Sequence, residues 1–200
     1  METFFCDDDY AAYVALMAES CSRLGVEVWA YCLMPNHVHL VAVPESEGGL
    51  RRAIGEAHRR YTRRINFREG WRGHLWQSRF ASFPMDESYL LAAARYVELN
   101  PVKARLAKAP ESYQWSSAAA HVAGKDDVLV KVKPILERVP DWRGFLAEGD
   151  GEYGALYERH ESTGRPLGPK RFVVMLEKAL DRVLQPRKRG RRPRRTGKLV

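Results

Sequence analysis

The stretch Trp29-Ala30-Tyr31-Cys32-Leu33-Met34-Pro35-Asn36-His37-Val38-His39-Leu40-Val41-Ala42-Val43 limits the fold of this chain more than any other. It reads as strand, tight turn, strand. Leu33, Val38 and Leu40 to Val43 suit a buried sheet, and Met34-Pro35-Asn36 supplies the turn. In the second strand His37 and His39 are two apart, so both side chains leave the same face. Two imidazoles on one face, framed by apolar residues, can hold a divalent metal ion. The same pattern also fits surface histidines or core histidines with hydrogen-bond partners, and the pair alone does not decide.

Around this hairpin the chain reads as α+β. Asp7-Asp8-Asp9 place acids at the start of a helix that Gly25 ends. A second helix spans about 50–67 and carries Arg51, Arg52, His58, Arg59, Arg60, Arg63 and Arg64, a face that is either simply solvated or able to track a phosphate backbone. Residues 75–83 alternate large apolar with polar side chains, which predicts a strand ended by Pro84. Asp86 is placed to cap a third helix over 89–100, with Pro101 disturbing its end. Beyond Ala109 come short helical segments, a Gly/Pro loop over 162–169, and an amphipathic helix over 170–184 stopped by Pro186.

Charge adds a second clue. The net charge is +8, from 33 basic and 25 acidic residues. Arg187, Lys188, Arg189, Arg191, Arg192, Arg194, Arg195 and Lys198 follow one another with no acid among them. Removing these eight leaves 25 bases against 25 acids, so the whole excess sits in the tail. A concentrated cationic tail suits a polyanion, or serves as a disordered solubilising end. No apolar run approaches the roughly 20 residues that span a membrane. Three cysteines, odd in number and without CxxC spacing, argue against a disulfide framework or a zinc knuckle, and a reducing cytoplasm is the expected location.

On the third helix Tyr96 and Asn100 are four apart and share a face. They fit a core stripe with a terminal Asn. They equally fit a nucleophile and an amide oxygen ligand, since a tyrosine hydroxyl attacks a phosphodiester when the phosphate charge is stabilised.

Tyr31 to Leu40, with its His-hydrophobic-His core, resembles the hallmark of the HUH single-tyrosine transposases. Arg95-Tyr96-Val97-Glu98-Leu99-Asn100-Pro101-Val102-Lys103-Ala104 resembles their nucleophile helix. Leu75 to Phe80 and Tyr113 to Ser117 match further recurrent segments. Thr163 to Gly168, Phe172, Leu176-Glu177 and the final basic run resemble the REP-associated tyrosine transposases. The resemblance implies an RRM-like, ferredoxin-like antiparallel sheet with helices packed on one face, a small helical C-terminal appendage and a basic tail. It implies a catalytic core over 1–108, a DNA-binding appendage over 109–184 and a disordered tail over 185–200. Tyr96 would be catalytic, and His37, His39 and Asn100 would hold Mg²⁺ or Mn²⁺. Arg59, Arg63, Arg79, Arg165 and the tail residues would touch DNA. The expected substrate is single-stranded or hairpin DNA, cut through a 5′-phosphotyrosine intermediate by a monomer or homodimer. Family members usually carry one more strand ahead of the segment matching Phe4 to Asp7. This chain starts too late to contain it, so either the true start codon lies upstream, or the core lacks its first strand and has an unpaired edge beside the site, with a hairpin-binding chain without activity as the alternative.

Overall fold

The structure is a computed structural model that describes residues 2–149, 151 and 153–185. Its first helix, α1, spans Asp7–Arg23, with the three aspartates in the first turn and Arg23 in the last, as the helix dipole favours. Gly25 has a φ of +61°, a left-handed turn open to glycine, and leads straight into strand β1, Val26–Met34. Strand β2, His37–Pro44, returns antiparallel to it. Helix α2, Gly49–Glu69, follows, and then α3, Leu90–Lys103. The chain is therefore α+β, with a two-stranded antiparallel sheet among the described residues.

One irregularity decides what each face of the sheet shows. The register pairs Val28 with Ala42 but Ala30 with Val41, so Trp29 is an extra residue in β1. Such a bulge resets the alternation of the pleat. Val26 and Val28 before it, and Tyr31 and Leu33 after it, pack in one cluster with Val38, Leu40 and Ala42. Ala30, Cys32, Met34 and Val41 join the opposite cluster. His39 pairs with Cys32 and His37 with Met34, and directly opposed residues share a face. The register thus turns both histidines to the second side.

The first side is covered by α1 and α2. Tyr13 and Met17 meet a buried stripe of Ala53, Ile54, Ala57, Tyr61 and Ile65, spaced as one helix face demands. An ion pair clamps the two helices. Asp9 is fully buried and accepts from Arg68 Nη1 at 2.5 Å, Arg68 Nη2 at 3.1 Å and the Phe5 N–H at 3.0 Å. Desolvation pulls the Asp9 pKa upward as the largest effect, but these donors together hold it below the ordinary carboxylate value.

The second side is covered by α3. The helix runs on through Pro101 to Lys103, past the residue expected to disturb its end. Proline has no N–H for the Val97 carbonyl. The Asn100 side-chain amide donates to the Tyr96 carbonyl at 2.9 Å and reaches the Val97 carbonyl at 3.5 Å, which relieves that gap.

The strand expected over 75–83 is absent, and the segment is irregular. Its apolar residues are covered as the alternation predicts, but on different clusters. Leu75, Trp76 and Phe80 pack with α1 and α2, while Phe83 packs with α3. The outer edge of β1 is already engaged. Leu33 N–H donates to Trp115 O at 2.8 Å, Ser117 N–H to Tyr31 O at 3.0 Å, and Lys131 N–H to Val28 O at 2.8 Å. Alternation reports burial, and it carries no guarantee of a backbone partner.

Short helices α4 (Ala118–Ala123), α5 (Lys133–Leu136) and α6 (Trp142–Ala147) follow, then α7 (Tyr153–Thr163) and α8 (Lys170–Leu180). Glu98 of α3 ties this half to the sheet. It is fully buried and takes hydrogen bonds from Ser117 Oγ at 2.5 Å, His121 Nδ1 at 2.6 Å and Trp142 Nε1 at 2.7 Å. A buried carboxylate holds only when its lone pairs are filled in this way. Among the described residues no helix is long and apolar enough to cross a membrane.

Candidate functional site

His37 and His39 leave β2 toward α3, and their Nε2 atoms lie 2.9 Å apart. Two lone pairs cannot face each other at that distance, so a proton or a cation must lie between them. On the far side of the His37 ring, Nδ1 meets Asn36 Oδ1 at 2.6 Å. That oxygen only accepts, so Nδ1 carries the hydrogen and a neutral His37 presents a bare Nε2. His39 Nδ1 faces Glu161 Oε1 of α7 at 3.8 Å. Desolvation lowers the His37 pKa. Burial, with repulsion from His37 and Lys103, brings that of His39 to about 4. Both rings are therefore neutral near pH 7, the state in which imidazole binds a metal.

Tyr96 reaches the same place from α3. Its ring stands edge-on to His39, with centroids 5.8 Å apart. Tyr157 of α7 packs on it at 5.2 Å, and Lys103 Nζ lies 4.5 Å from the Tyr96 ring centroid. The residue is 8 % exposed. The group opens on a cavity of about 710 Å³, lined by His39, Val41, Phe83, Tyr96, Tyr157 and Glu161 among others. A largely apolar cleft thus carries a few polar groups, the usual form of a binding site.

The structure brings together three of the four expected core residues, His37, His39 and Tyr96. Asn100 is on the same helix, one turn from Tyr96, and its amide N–H bonds go to its own helix carbonyls. Among the described residues no third His, Cys, Asp or Glu completes a metal cluster with the histidines. Arg59 and Arg63 are exposed on α2, and Arg79 and Arg165 are exposed on loops. Arg187, Lys188, Arg189, Arg191 and Arg192 lie outside the described residues. Sequence reasoning missed Asn36, Lys103, Tyr157 and Glu161. Asn36 and Lys103 stood inside the resembling segments and had a signal. Tyr157 and Glu161 are some sixty residues from Tyr96 and had none.

Residues 2–100 match the family model described as IS200-like transposase. Those 99 of the 200 residues, the segment that carries the site, belong to the IS200-like transposase family. The match contains the hairpin, both histidines, Tyr96 and Asn100, and ends one residue before Pro101. Membership makes the chain a DNA transposase in its general class, a protein that processes DNA. No curated protein and no solved structure matches the chain.

Proposed function

We propose that the chain is a metal-dependent, single-tyrosine strand transferase of the HUH class that cuts and rejoins single-stranded hairpin DNA, as the REP-associated subgroup does. One observation carries this reading: Tyr96 stands edge-on to His39, whose Nε2 converges with that of His37. Two ligand nitrogens at about 2.1 Å from one ion, at right angles, lie about 3 Å apart, so the histidine pair fits one divalent ion. His37 and His39 would hold Mg²⁺ or Mn²⁺, with the Asn100 amide oxygen as the third donor. The bound ion supplies charge stabilisation at the non-bridging phosphate oxygens.

The remaining chemistry belongs to the chain's own groups. The Tyr96 hydroxyl loses its proton and its oxygen bonds to phosphorus. The bond from phosphorus to the 3′ oxygen breaks, its electron pair leaves on that oxygen, and a proton completes the free 3′-OH. The phosphotyrosine ester keeps the energy of the broken bond, so a 3′-OH attacks it in reverse without ATP. Lys103 adds positive charge beside Tyr96, where a phosphate must sit. Asn36 holds His37 in the ligating tautomer.

The test incubates the full chain with single-stranded REP-type hairpin DNA and Mn²⁺, then runs a denaturing gel. Wild type forms a covalent adduct and Tyr96→Phe does not. Cleavage that survives Tyr96→Phe sinks the tyrosine mechanism. Tight binding with no adduct identifies a hairpin-binding chain without activity.

A further inference from the structure

A second feature lies farther along α2, outside the Tyr96 cavity. Phe67 is 90 % exposed and Trp71 is 48 % exposed. They line an open groove of about 570 Å³ together with Arg59, Thr62, Arg63, Asn66 and Arg72. The groove is built in place. Gly70 ends α2 in a left-handed turn at φ +67°, and the Trp71 N–H donates to Asn66 O at 2.9 Å. Asn66 Nδ2 then donates to Gly73 O at 3.0 Å, which pins the loop carrying Trp71 and Arg72. The Trp71 ring is braced edge-on by Phe5, with centroids 5.7 Å apart.

Charge selects the occupant. Arg59 is held by Glu56, but Arg63 and Arg72 make no ion pair or side-chain hydrogen bond among the described residues. Two unmatched guanidinium groups beside two open rings suit a ligand with anionic links and flat apolar faces. Unpaired nucleotides have both, and stacking on aromatics between basic residues is how single strands are held. The groove and the Tyr96 cavity are both lined from α2. His58 lines the cavity and Arg59 the groove, and Phe67 lies about 14 Å farther along the helix axis.

We infer that Phe67 and Trp71 form a stacking platform for unpaired bases of single-stranded DNA, with Arg63 and Arg72 gripping the flanking phosphates. The inference rests on single-stranded DNA being the substrate. Bases stack on Phe67 and Trp71 whatever their sequence, so the platform guides the path of the strand rather than sequence choice.

The test measures binding of labelled dT12, and of a duplex of equal length, to the full chain by fluorescence anisotropy in EDTA over a salt series. The double variant Phe67→Ala/Trp71→Ala binds dT12 at least tenfold more weakly, keeps its duplex affinity within twofold, and leaves the salt slope unchanged. Phe67→Ala alone loses about fivefold, and Phe67→Trp retains wild-type binding. Arg63→Gln/Arg72→Gln weakens both ligands and flattens the dT12 salt slope by about 1.4, the value for two phosphate contacts on a single strand. Wild-type binding of dT12 by the double aromatic variant overturns the inference. So does equal loss on dT12 and duplex, failure of wild type to bind dT12, or a shift of the variant from dimer to monomer in sedimentation with DNA binding intact. The adduct gel separates the two readings. If wild type forms the Tyr96 adduct while the aromatic variant binds dT12 normally, the platform alone falls. If no adduct forms while the variant loses dT12, strand transfer falls and the platform stands.

Discussion

On the α1–α2 side of the hairpin His58 stacks on Trp76 with centroids 4.0 Å apart, and its Nε2 meets the Tyr13 hydroxyl at 2.9 Å. On the α3 side His39 turns its Nε2 to another imidazole at the same distance. Burial lowers the pKa of His58 to about 4, as it does that of His39. The two rings are therefore alike in protonation, and what separates them is the partner. The Tyr13 hydroxyl occupies the His58 Nε2. The His39 Nε2 instead meets the Nε2 of His37, whose other nitrogen is held by Asn36. Burial and a depressed pKa alone do not mark a site; the identity of the group opposite the nitrogen does.

Removing the converging pair gives the largest effect. His37→Gln/His39→Gln abolishes the Mn²⁺-dependent adduct on a denaturing gel, while urea unfolding shifts by about 1 kcal/mol or less. A double variant that unfolds outright makes the pair a packing feature and breaks the contrast. The opposite result is expected for His58→Gln, which keeps Mn²⁺ binding by isothermal calorimetry.

The pH dependence of stability comes next in size. His58 in the folded chain has a pKa of about 4, below the ordinary 6.5. Its contribution is fully present above pH 6.5. It is lost as pH falls from 6.5 toward 4, because only the unfolded chain takes up the proton. The loss over that window is about 3 kcal/mol. Urea midpoints measured at pH 7, 5.5 and 4.5 should fall for wild type and fall less for His58→Gln. Parallel curves mean that His58 is no more shielded than a surface ring.

Two finer changes divide the partners. Asn36→Ala frees the His37 ring and weakens Mn²⁺ affinity about tenfold, with stability little changed. Tyr13→Phe strips the partner from His58 and costs about 1–2 kcal/mol in urea unfolding, with metal affinity untouched. If Asn36→Ala leaves the affinity as it was, His37 needs no support from that side.

Local repetition made half of this arrangement legible in the sequence. The period of two put His37 and His39 on one face, and the period of 3.6 put Tyr96 and Asn100 on one side of a helix. Resemblance joined the two, and the family match covers both. The strand over 75–83 failed because periodicity sees side chains and not hydrogen-bond partners. The edge it might have used was taken by Trp115, Ser117 and Lys131, more than eighty residues from β1. Glu161 and Tyr157 failed for the same reason of distance along the chain. Glu98 drew no reading from the sequence, and only the fold shows it buried against Ser117, His121 and Trp142.

The bulge at Trp29 has a consequence for how the gene can change. β1 carries one residue more than its pleat requires, so losing a codon there straightens the strand and leaves every face as it was. β2 has no such spare. Loss of one codon at Val38 would put the two imidazoles next to each other and on opposite sides of the sheet. Drift in length is open to one strand of the hairpin and closed to the other. The spacing of the histidines is accordingly more permanent than that of the strand beside them.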